Sequence, residues 1–221
     1  MQVYAINGSP RPKWNTSTLL QSVLDGAAEA ADNVLTETIN LYSLKYKGCI
    51  SCMQCKLVGG PSYGKCAVKD EIYELLQNAS NADVLVFGSP IYFSDITGMT
   101  RCFLERLLFP YFVYDQRHSS IAPRKLRSAF VYTMNVTAEA MKEYHYSERL
   151  KPMEGFVGHI FGHAPHILYA NNTLQVKDYA KYDITCFSEA EKLKYREEVF
   201  PLDLAKAKEL GAKLGAEATG D

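Results

Sequence analysis

The sequence of 221 residues predicts an α/β fold, namely a doubly wound parallel sheet of five strands with helices on both faces. Apolar runs of strand length alternate along the chain with longer segments of helical periodicity. A hydroxyl-rich loop joins the first strand directly to the first helix, which is typical of the ligand-binding end of such sheets. No linker rich in Pro, Gly or Ser divides the chain, so we expect a single domain over residues 1–221.

The predicted strands are short and mostly apolar. They are Val3–Ile6, Val34–Ile39, Val84–Phe87, Ser128–Thr133 and His166–Ala170. The second alternates apolar and polar residues, which indicates a strand with one covered face. The third is a continuous apolar run that ends in Gly-Ser-Pro, which is typical of a central parallel strand.

Helical segments follow the strands in order. The predicted helices are Thr16–Ala31, Asp70–Ala79, Ile96–Leu108, Thr137–Leu150 and Glu189–Ala216. Pro201 is expected to break the last one, because proline cannot donate the backbone hydrogen bond of a helix interior. Two long loops remain, a Cys-containing loop at 43–69 and an aromatic crossover loop at 109–125. We expect the aromatic loop to lie in a subunit interface or to pack in the core.

The composition excludes several classes of partner. Hydrophobic residues make up 47% and charged residues 22% of the chain, an ordinary globular balance. The formal net charge of −1 gives no long-range field that would attract nucleic acid or an acidic membrane. The amino terminus lacks a signal-peptide pattern, and no apolar run reaches the roughly 20 residues that span a bilayer. We therefore expect a cytoplasmic protein whose six cysteines are thiols, cluster ligands or redox groups rather than structural disulfides.

The loop between the first strand and the first helix predicts a phosphate site. It combines a glycine, four hydroxyl side chains and two cations just before a helix amino terminus, where unpaired N–H groups favour anions. These residues are Gly8, Ser9, Arg11, Lys13, Thr16, Ser17 and Thr18. Helix capping by Asn15 or Thr16 would explain one of these residues but not the whole set.

The loop after the third strand, residues 88–98, predicts a surface for a flat ring. Its aromatic side chains, Tyr92 and Phe93, can pack on a conjugated ring while backbone N–H groups bind the polar edge of that ring. The alternative is an aromatic turn that only covers the core.

Four cysteines form a compact set in the loop at 43–69. Cys49, Cys52, Cys55 and Cys66 have the spacing Cys-x2-Cys-x2-Cys-x10-Cys. Cubane iron–sulfur clusters take four cysteine ligands, often from close spacing. A 4Fe–4S cluster, a zinc ion, a redox-active thiol pair and structural thiols all stay open.

Taken together, these segments resemble a known family. Gly8-Ser-Pro-Arg with Asn15-Thr-Ser, the run Gly88 to Phe93 and the run Asn172 to Tyr179 are similar to NAD(P)H-dependent FMN reductases and iron–sulfur flavoproteins of the flavodoxin-like superfamily. The cysteine set also resembles that of the iron–sulfur flavoproteins, although its last gap is longer. The resemblance implies a flavodoxin-like, FMN-binding domain with strand order 2-1-3-4-5.

The resemblance also implies which residues hold FMN. The phosphate would be held by Ser9, Arg11, Asn15, Thr16 and Ser17. The isoalloxazine ring would be contacted by Pro90, Ile91, Tyr92 and Phe93, and by Thr133, Met134 and Asn135 after the fourth strand.

The function expected from this resemblance is that of an oxidoreductase. It would take hydride from NAD(P)H and pass electrons to a quinone, a flavin, a metal ion or a protein in a ping-pong cycle. The flavin carries the chemistry, so no catalytic side chain is predicted. We expect a homodimer or homotetramer. The alternatives are an iron–sulfur electron carrier served by a ferredoxin-like partner, and a binding domain without flavin.

Overall fold

The computed structural model describes residues 1–220, which fold around a parallel sheet. Its strands are β1 (Gln2–Asn7), β2 (Leu35–Asn40), β3 (Val84–Tyr92), β4 (Asp95–Ile96), β5 (Arg127–Thr133) and β6 (His166–Ala170). Five of them run parallel in the order β2-β1-β3-β5-β6. The carboxyl ends of β1, β3, β5 and β6 therefore meet at one edge of the sheet.

The prediction of five strands in the order 2-1-3-4-5 requires a correction, because the sheet has six strands. The additional strand, β4, pairs antiparallel with the end of β3. The turn between them places Phe93 and Ser94 at φ 51° and 67°, the left-handed region that two-residue hairpins need. Hairpin turns of this kind usually carry Asn-Gly, so Phe-Ser gave no signal in the sequence.

Seven helices cover the two faces of the sheet in the part of the chain that the structure describes. They are α1 (Asn15–Ala30), α2 (Tyr73–Ser80), α3 (Gly98–Leu108), α4 (Ala138–Glu143), α5 (Tyr146–Phe161), α6 (Glu189–Glu198) and α7 (Phe200–Thr219). The single helix predicted over 137–150 is wrong, because His145, at φ 54°, separates α4 from α5. The predicted break at Pro201 is confirmed: α6 ends before it, and Pro201 lies in the first turn of α7, where its missing N–H needs no acceptor. None of the helices within residues 1–220 has the length and apolar character needed to cross a membrane.

The two faces of the sheet are packed differently. One face carries small side chains, such as Ala5, Val86 and Val131, under α1 and α7. The other carries larger ones, such as Phe87 and Tyr132, under α2, α3 and α5. This alternation along each strand is the period-2 pattern of a sheet that is buried on both sides.

Helices α1 and α7 approach each other closely through glycines. A Cβ atom at Gly211 would lie 1.9 Å from the carbonyl oxygen of Val23, and one at Gly26 would lie 1.9 Å from that of Lys208. Only glycine allows the two backbones to come this near. The last helix of the fold is thus packed directly on the helix that begins at the predicted phosphate loop.

Candidate functional site

A cavity lies at the carboxyl edge of the sheet, where the loops after β1, β3, β5 and β6 meet. Its lining residues are Ser9, Arg11, Trp14, Asn15, Thr16, Pro90, Ile91, Tyr92, Thr133, Met134, Asn135, Thr173, Leu174 and Gln175. Ten of these are residues that the sequence predicted for a cofactor. The three predicted loops, which are far apart in the chain, therefore form one site.

The loop after β1 is held in place by hydrogen bonds of the Gly8 backbone. The N–H of Gly8 donates to the carbonyl of Gly88 at 2.8 Å, and the hydroxyl of Thr97 donates to the carbonyl of Gly8 at 2.8 Å. A Cβ atom at Gly8 would lie 1.7 Å from Oγ1 of Thr100. The glycine thus lets the loop after β1 lie directly against β3 and the start of α3.

The amino terminus of α1 lies in the wall of this cavity, and the first N–H groups of a helix have no partner within the helix. Trp14 occupies the N-cap position, and its side chain makes no capping hydrogen bond. Asn15 and Thr16, in the first turn, are buried. The Thr16 hydroxyl pairs with the Thr133 hydroxyl at 2.8 Å, which joins the loops after β1 and β5. An uncapped helix start surrounded by hydroxyls suits an anion such as a phosphate.

The fourth wall of the cavity, Thr173 to Gln175, was not among the predicted site residues. Trp14 Nε1 and Asn15 Nδ2 both donate to the carbonyl of Leu174, at 3.1 and 2.8 Å, and the Arg11 guanidinium donates to the carbonyl of Gln175. The wall is thus fastened to the phosphate loop by three side chains. The available signal was its position after the last strand, inside the run Asn172 to Tyr179 that carried the resemblance.

Two of the predicted residues do not line the cavity. The Ser17 hydroxyl instead donates to the carbonyl of Pro12 at 2.6 Å. Phe93 is fully exposed at the tip of the β3–β4 hairpin, because the left-handed turn directs its ring away from the sheet. Tyr92, one residue earlier, is half exposed and remains in the wall.

A buried lysine supports the wall from behind. Lys192 on α6 is 1% exposed, and its ammonium group donates to the carbonyl of Asn135 and lies 4.4 Å from the centre of the Phe187 ring. Burial lowers the pKa of Lys192 to about 8. A cation is thus buried directly behind Asn135, and nothing in the sequence indicated it because the contact joins residues 57 positions apart.

The four cysteines of the predicted cluster site line a second, smaller cavity. Cys49, Cys52, Cys55 and Cys66 surround a space of about 20 Å³ that is otherwise walled mainly by apolar atoms. Burial raises the pKa of the Cys55 thiol. Within residues 1–220, however, no three His, Cys, Asp or Glu side chains converge as a group that could hold a metal ion. The thiols share a cavity, but the expected ligand cage is not formed, so the arrangement does not fit a bound cluster.

The cysteine loop is fastened to α3 by a buried arginine. Arg106 is 2% exposed and forms a two-pronged ion pair with Asp70, at 2.5 and 3.0 Å. Its remaining N–H groups donate to the carbonyls of Lys47 and Val68 and to the sulfur of Cys66 at 3.4 Å. Because all five donors of the guanidinium are used, this one side chain holds both ends of the loop.

The fold and the first cavity define a class of protein: α/β proteins with a ligand-sized cavity at the carboxyl edge of a parallel sheet. Comparison with known proteins specifies it further. The model of the NADPH-dependent FMN reductase family matches residues 1–140, and the chain belongs to this family.

Individual relatives agree with this assignment. An iron–sulfur flavoprotein of Methanocaldococcus jannaschii is 35% identical over 48% of this chain, and one of Archaeoglobus fulgidus is 34% identical over 48%. The chain matches about half the length of these relatives, 51% and 48% respectively.

Solved structures share the fold over nearly the whole chain. An NAD(P)H:quinone oxidoreductase from Methanothermobacter marburgensis superposes with a TM-score of 0.68, at 16% identity over 97% of this chain and 98% of the other. An FMN-dependent NADH-azoreductase from Bacillus anthracis, solved in complex with FMN, gives 0.63 at 16% identity over 97% and 99%. At this level of identity the likeness shows a common architecture.

The first cavity fits a flavin mononucleotide in its chemistry. It offers an uncapped helix start and hydroxyls for a phosphate, and beside them the side chains of Ile91, Tyr92 and Met134 for a flat ring. Its enclosed volume of about 130 Å³ is below the roughly 300–1,000 Å³ of common small-molecule pockets. The cavity is therefore smaller than such pockets and is open to solvent on one side.

Proposed function

We propose that the protein is an FMN-dependent oxidoreductase that oxidises NAD(P)H and reduces a small acceptor such as a quinone. The observation that carries this proposal is the cavity in which four separate loops meet at the uncapped start of α1. Membership of the FMN reductase family supports it, as do structural neighbours that are named as quinone and azo reductases.

The residues of the cavity divide into two functions. Ser9, Asn15 and Thr16 would hold the phosphate, and the helix start would stabilise its charge. Ile91, Tyr92 and Met134 would position the ring and exclude water from one side of it. The bound FMN supplies the redox chemistry, so the protein needs no acid–base pair of its own.

The half-open cavity suggests how donor and acceptor use the site. NAD(P)H gives up a hydride, which is equivalent to two electrons and one proton. Reduction of a quinone to the hydroquinone takes two electrons and two protons, so solvent supplies the second proton. With one open side, the two molecules would bind in turn, and we expect ping-pong kinetics with parallel double-reciprocal plots. We further expect an assembly of two or four copies.

The phosphate site can be tested by titrating the flavin-free protein with FMN. We expect Ser9→Ala to weaken FMN binding about tenfold or more, because one hydrogen bond to a charged group contributes roughly 1.5–3 kcal/mol. Ser22→Ala is the matched control, since its hydroxyl donates to Thr18 on the same helix, outside the cavity. Absence of FMN binding by the unmodified protein would contradict the proposal and favour a binding domain without flavin.

A second candidate function is an electron carrier that also holds an iron–sulfur cluster. The shared cavity of the four cysteines favours it, together with relatives that are named iron–sulfur flavoproteins. Against it stands the absence of a converged metal-binding group within residues 1–220. Iron and sulfide assays on anaerobically purified protein distinguish the two functions, since about four irons per chain would support the carrier and none would exclude it.

A further inference from the structure

A second open groove adjoins the proposed flavin cavity. It has a volume of about 450 Å³ and shares three lining residues with that cavity, Arg11, Trp14 and Gln175. The rest of its wall comes from one segment after β6. The residues of that segment in the wall are Val176, Lys177, Asp178, Lys181 and Tyr182.

The segment that forms this wall is a well-anchored turn. Val176 and Tyr179 are buried, and the Tyr179 hydroxyl accepts a hydrogen bond from the Gln175 N–H at 3.1 Å. Asp178 caps the short 3-10 helix at 179–181 by accepting from the Ala180 N–H at 3.2 Å. The buried residues fix the backbone, while the lysines between and after them are exposed along the groove.

The groove carries an excess of positive charge. Its wall has three cations, Arg11, Lys177 and Lys181, and one carboxylate, Asp178. Lys181 pairs with Asp178 at 2.9 Å, but both side chains are exposed, so this pair is weak and can exchange for a ligand anion. Lys177 forms no ion pair with any residue from 1 to 220. The chain as a whole has a net charge of −1, so the positive charge is a local feature.

Aromatic side chains stand next to these cations. Trp14 lies in the wall between the two cavities, with its indole N–H bonded to Leu174 and the Arg11 guanidinium 5.8 Å from its ring centre. Tyr182 is 57% exposed in the same groove. Aromatic faces beside cations are what a nucleotide requires, since the base stacks and the phosphate pairs.

We propose that this groove binds the adenosine phosphate end of the nicotinamide dinucleotide, with Lys177 and Lys181 pairing with the 2′-phosphate of NADPH. The inference rests on the proposed function, because the nicotinamide end would then lie over the neighbouring flavin cavity. It assigns the preference for NADPH over NADH to Lys177 and Lys181, which match no sequence motif. The shared wall at Arg11, Trp14 and Gln175 makes the two sites continuous.

The test uses the FMN-loaded protein and two double variants. Lys177→Ala with Lys181→Ala removes the proposed phosphate partners. Lys194→Ala with Lys206→Ala removes two exposed charges from the helices outside the groove, where they pair with Glu198 and Asp203. Binding of 2′,5′-ADP is measured by calorimetry, and KM and kcat are measured with NADPH and with NADH.

We expect the first double variant to bind 2′,5′-ADP about tenfold or more weakly and to raise KM for NADPH by a similar factor. KM for NADH, kcat and the FMN content should stay unchanged, and the control variant should behave like the unmodified protein. Equal binding of 2′,5′-ADP by the groove variant and the unmodified protein would overturn the inference.

The adenosine end of FAD lacks the 2′-phosphate but offers the groove the same base and pyrophosphate, so a further arm separates the two sources. Flavin-free protein is titrated with FAD and with FMN. If the groove variant loses affinity for FAD while its KM for NADPH stays constant, the groove serves the flavin and the inference is overturned. Unchanged 2′,5′-ADP binding by the groove variant, with FMN binding and NADH oxidation intact, would overturn this inference alone. Absence of FMN binding by the unmodified protein would overturn the proposed function, so the two failures are distinguishable.

Discussion

Gly8 shows how one residue sets the position of the proposed phosphate loop. The loop approaches α3 so closely that the nearest atom to a Cβ on Gly8 is a side-chain oxygen, Thr100 Oγ1 at 1.7 Å. The next neighbour, the carbonyl of Gly88, would be 3.1 Å away. Most of the steric conflict thus comes from a single hydroxyl.

We therefore expect Gly8→Ala to lower the free energy of unfolding by about 1–3 kcal/mol, the usual cost of overpacking. In a Thr100→Ala background the same change should cost less, because the conflicting hydroxyl is gone. Urea unfolding of the four proteins in this double-mutant cycle measures the difference. Equal costs in both backgrounds would show that another contact limits the loop.

Lys192 gives the stability of the protein a particular dependence on pH. Its pKa in the folded protein is lowered to about 8, mainly by burial, from the ordinary lysine value of 10.5 that the unfolded chain retains. Between these values the unfolded chain binds more protons at this residue than the folded one, so its contribution to stability rises with pH. Below pH 8 both states are protonated and the contribution is constant.

We expect the unfolding free energy of the unmodified protein, relative to Lys192→Met, to increase between pH 8 and 10.5. The upper limit of the increase is about 3 kcal/mol, at 1.36 kcal/mol per pKa unit. Comparison with the variant is needed because buried tyrosines titrate in an overlapping pH range. Their contribution to stability falls with pH, opposite to that of Lys192, and it cancels in the difference between the two proteins. Chemical denaturation at pH 7, 9 and 10 measures the difference, and a flat difference would show that Lys192 keeps an ordinary pKa.

At the scale of elements, the cysteine loop depends on one residue of α3. Arg106 joins the start of the loop at Lys47 to its end at Val68 and Asp70. Removing it would leave two carbonyl groups and a carboxylate without this donor, and breaking a buried ion pair typically costs about 3–5 kcal/mol.

We expect Arg106→Ala to increase the reactivity of Cys55 and Cys66 with a thiol reagent and the hydrogen exchange of residues 47–69. Arg101→Ala is the matched control on the same helix, because its ion pairs with Asp95 and Glu105 are exposed. Mass spectrometry of labelled protein gives both quantities. If the two variants behave alike, the loop is held by other contacts.

Elements differed in how far they could be predicted from the sequence. The buried strands were predictable, because the apolar residues of a run such as Val84–Phe87 indicate burial by themselves. The hairpin at Phe93 was not, since its turn chemistry is unusual, nor was the break at His145, which adopts a left-handed conformation without glycine.

The candidate site was predictable to a similar extent. Ten lining residues were named from the sequence. Local patterns of hydroxyls, charges and aromatics indicated Ser9, Arg11, Thr16 and Tyr92, and the resemblance to a known family implied the other six. Thr173 to Gln175 and Lys192 were not named, because their role comes from contacts with residues far away in the chain, such as Arg11 and Asn135. The spacing of the four cysteines also could not indicate that they line one cavity without converging on a metal-binding group within residues 1–220.

For the whole molecule, the packing of α7 on α1 links the end of the chain to the proposed phosphate site. The glycine contact at Gly211 is with a backbone carbonyl, which cannot move aside as a side chain would. We expect Gly211→Ala to destabilise the protein by about 1–3 kcal/mol or more and to weaken FMN binding, since α1 must shift.

Gly155→Ala is the control for this change. Gly155 also lies inside a helix, but its Cβ position is open, so the substitution should be neutral or stabilise by up to about 1 kcal/mol. Thermal unfolding and FMN titration of both variants test the link. Unchanged FMN affinity in a destabilised Gly211→Ala protein would show that α7 supports the fold without affecting the site.

The hydrogen bonds that join Leu174 and Gln175 to the loop after β1 also have a consequence for biosynthesis. Arg11 and Gln175 are 164 positions apart, so a ribosome must release most of the chain before the two can meet. A nascent chain would expose its opening loop long before the residues that complete the enclosure exist. Capture of the coenzyme is therefore expected to follow translation, when the finished polypeptide closes its last crossover.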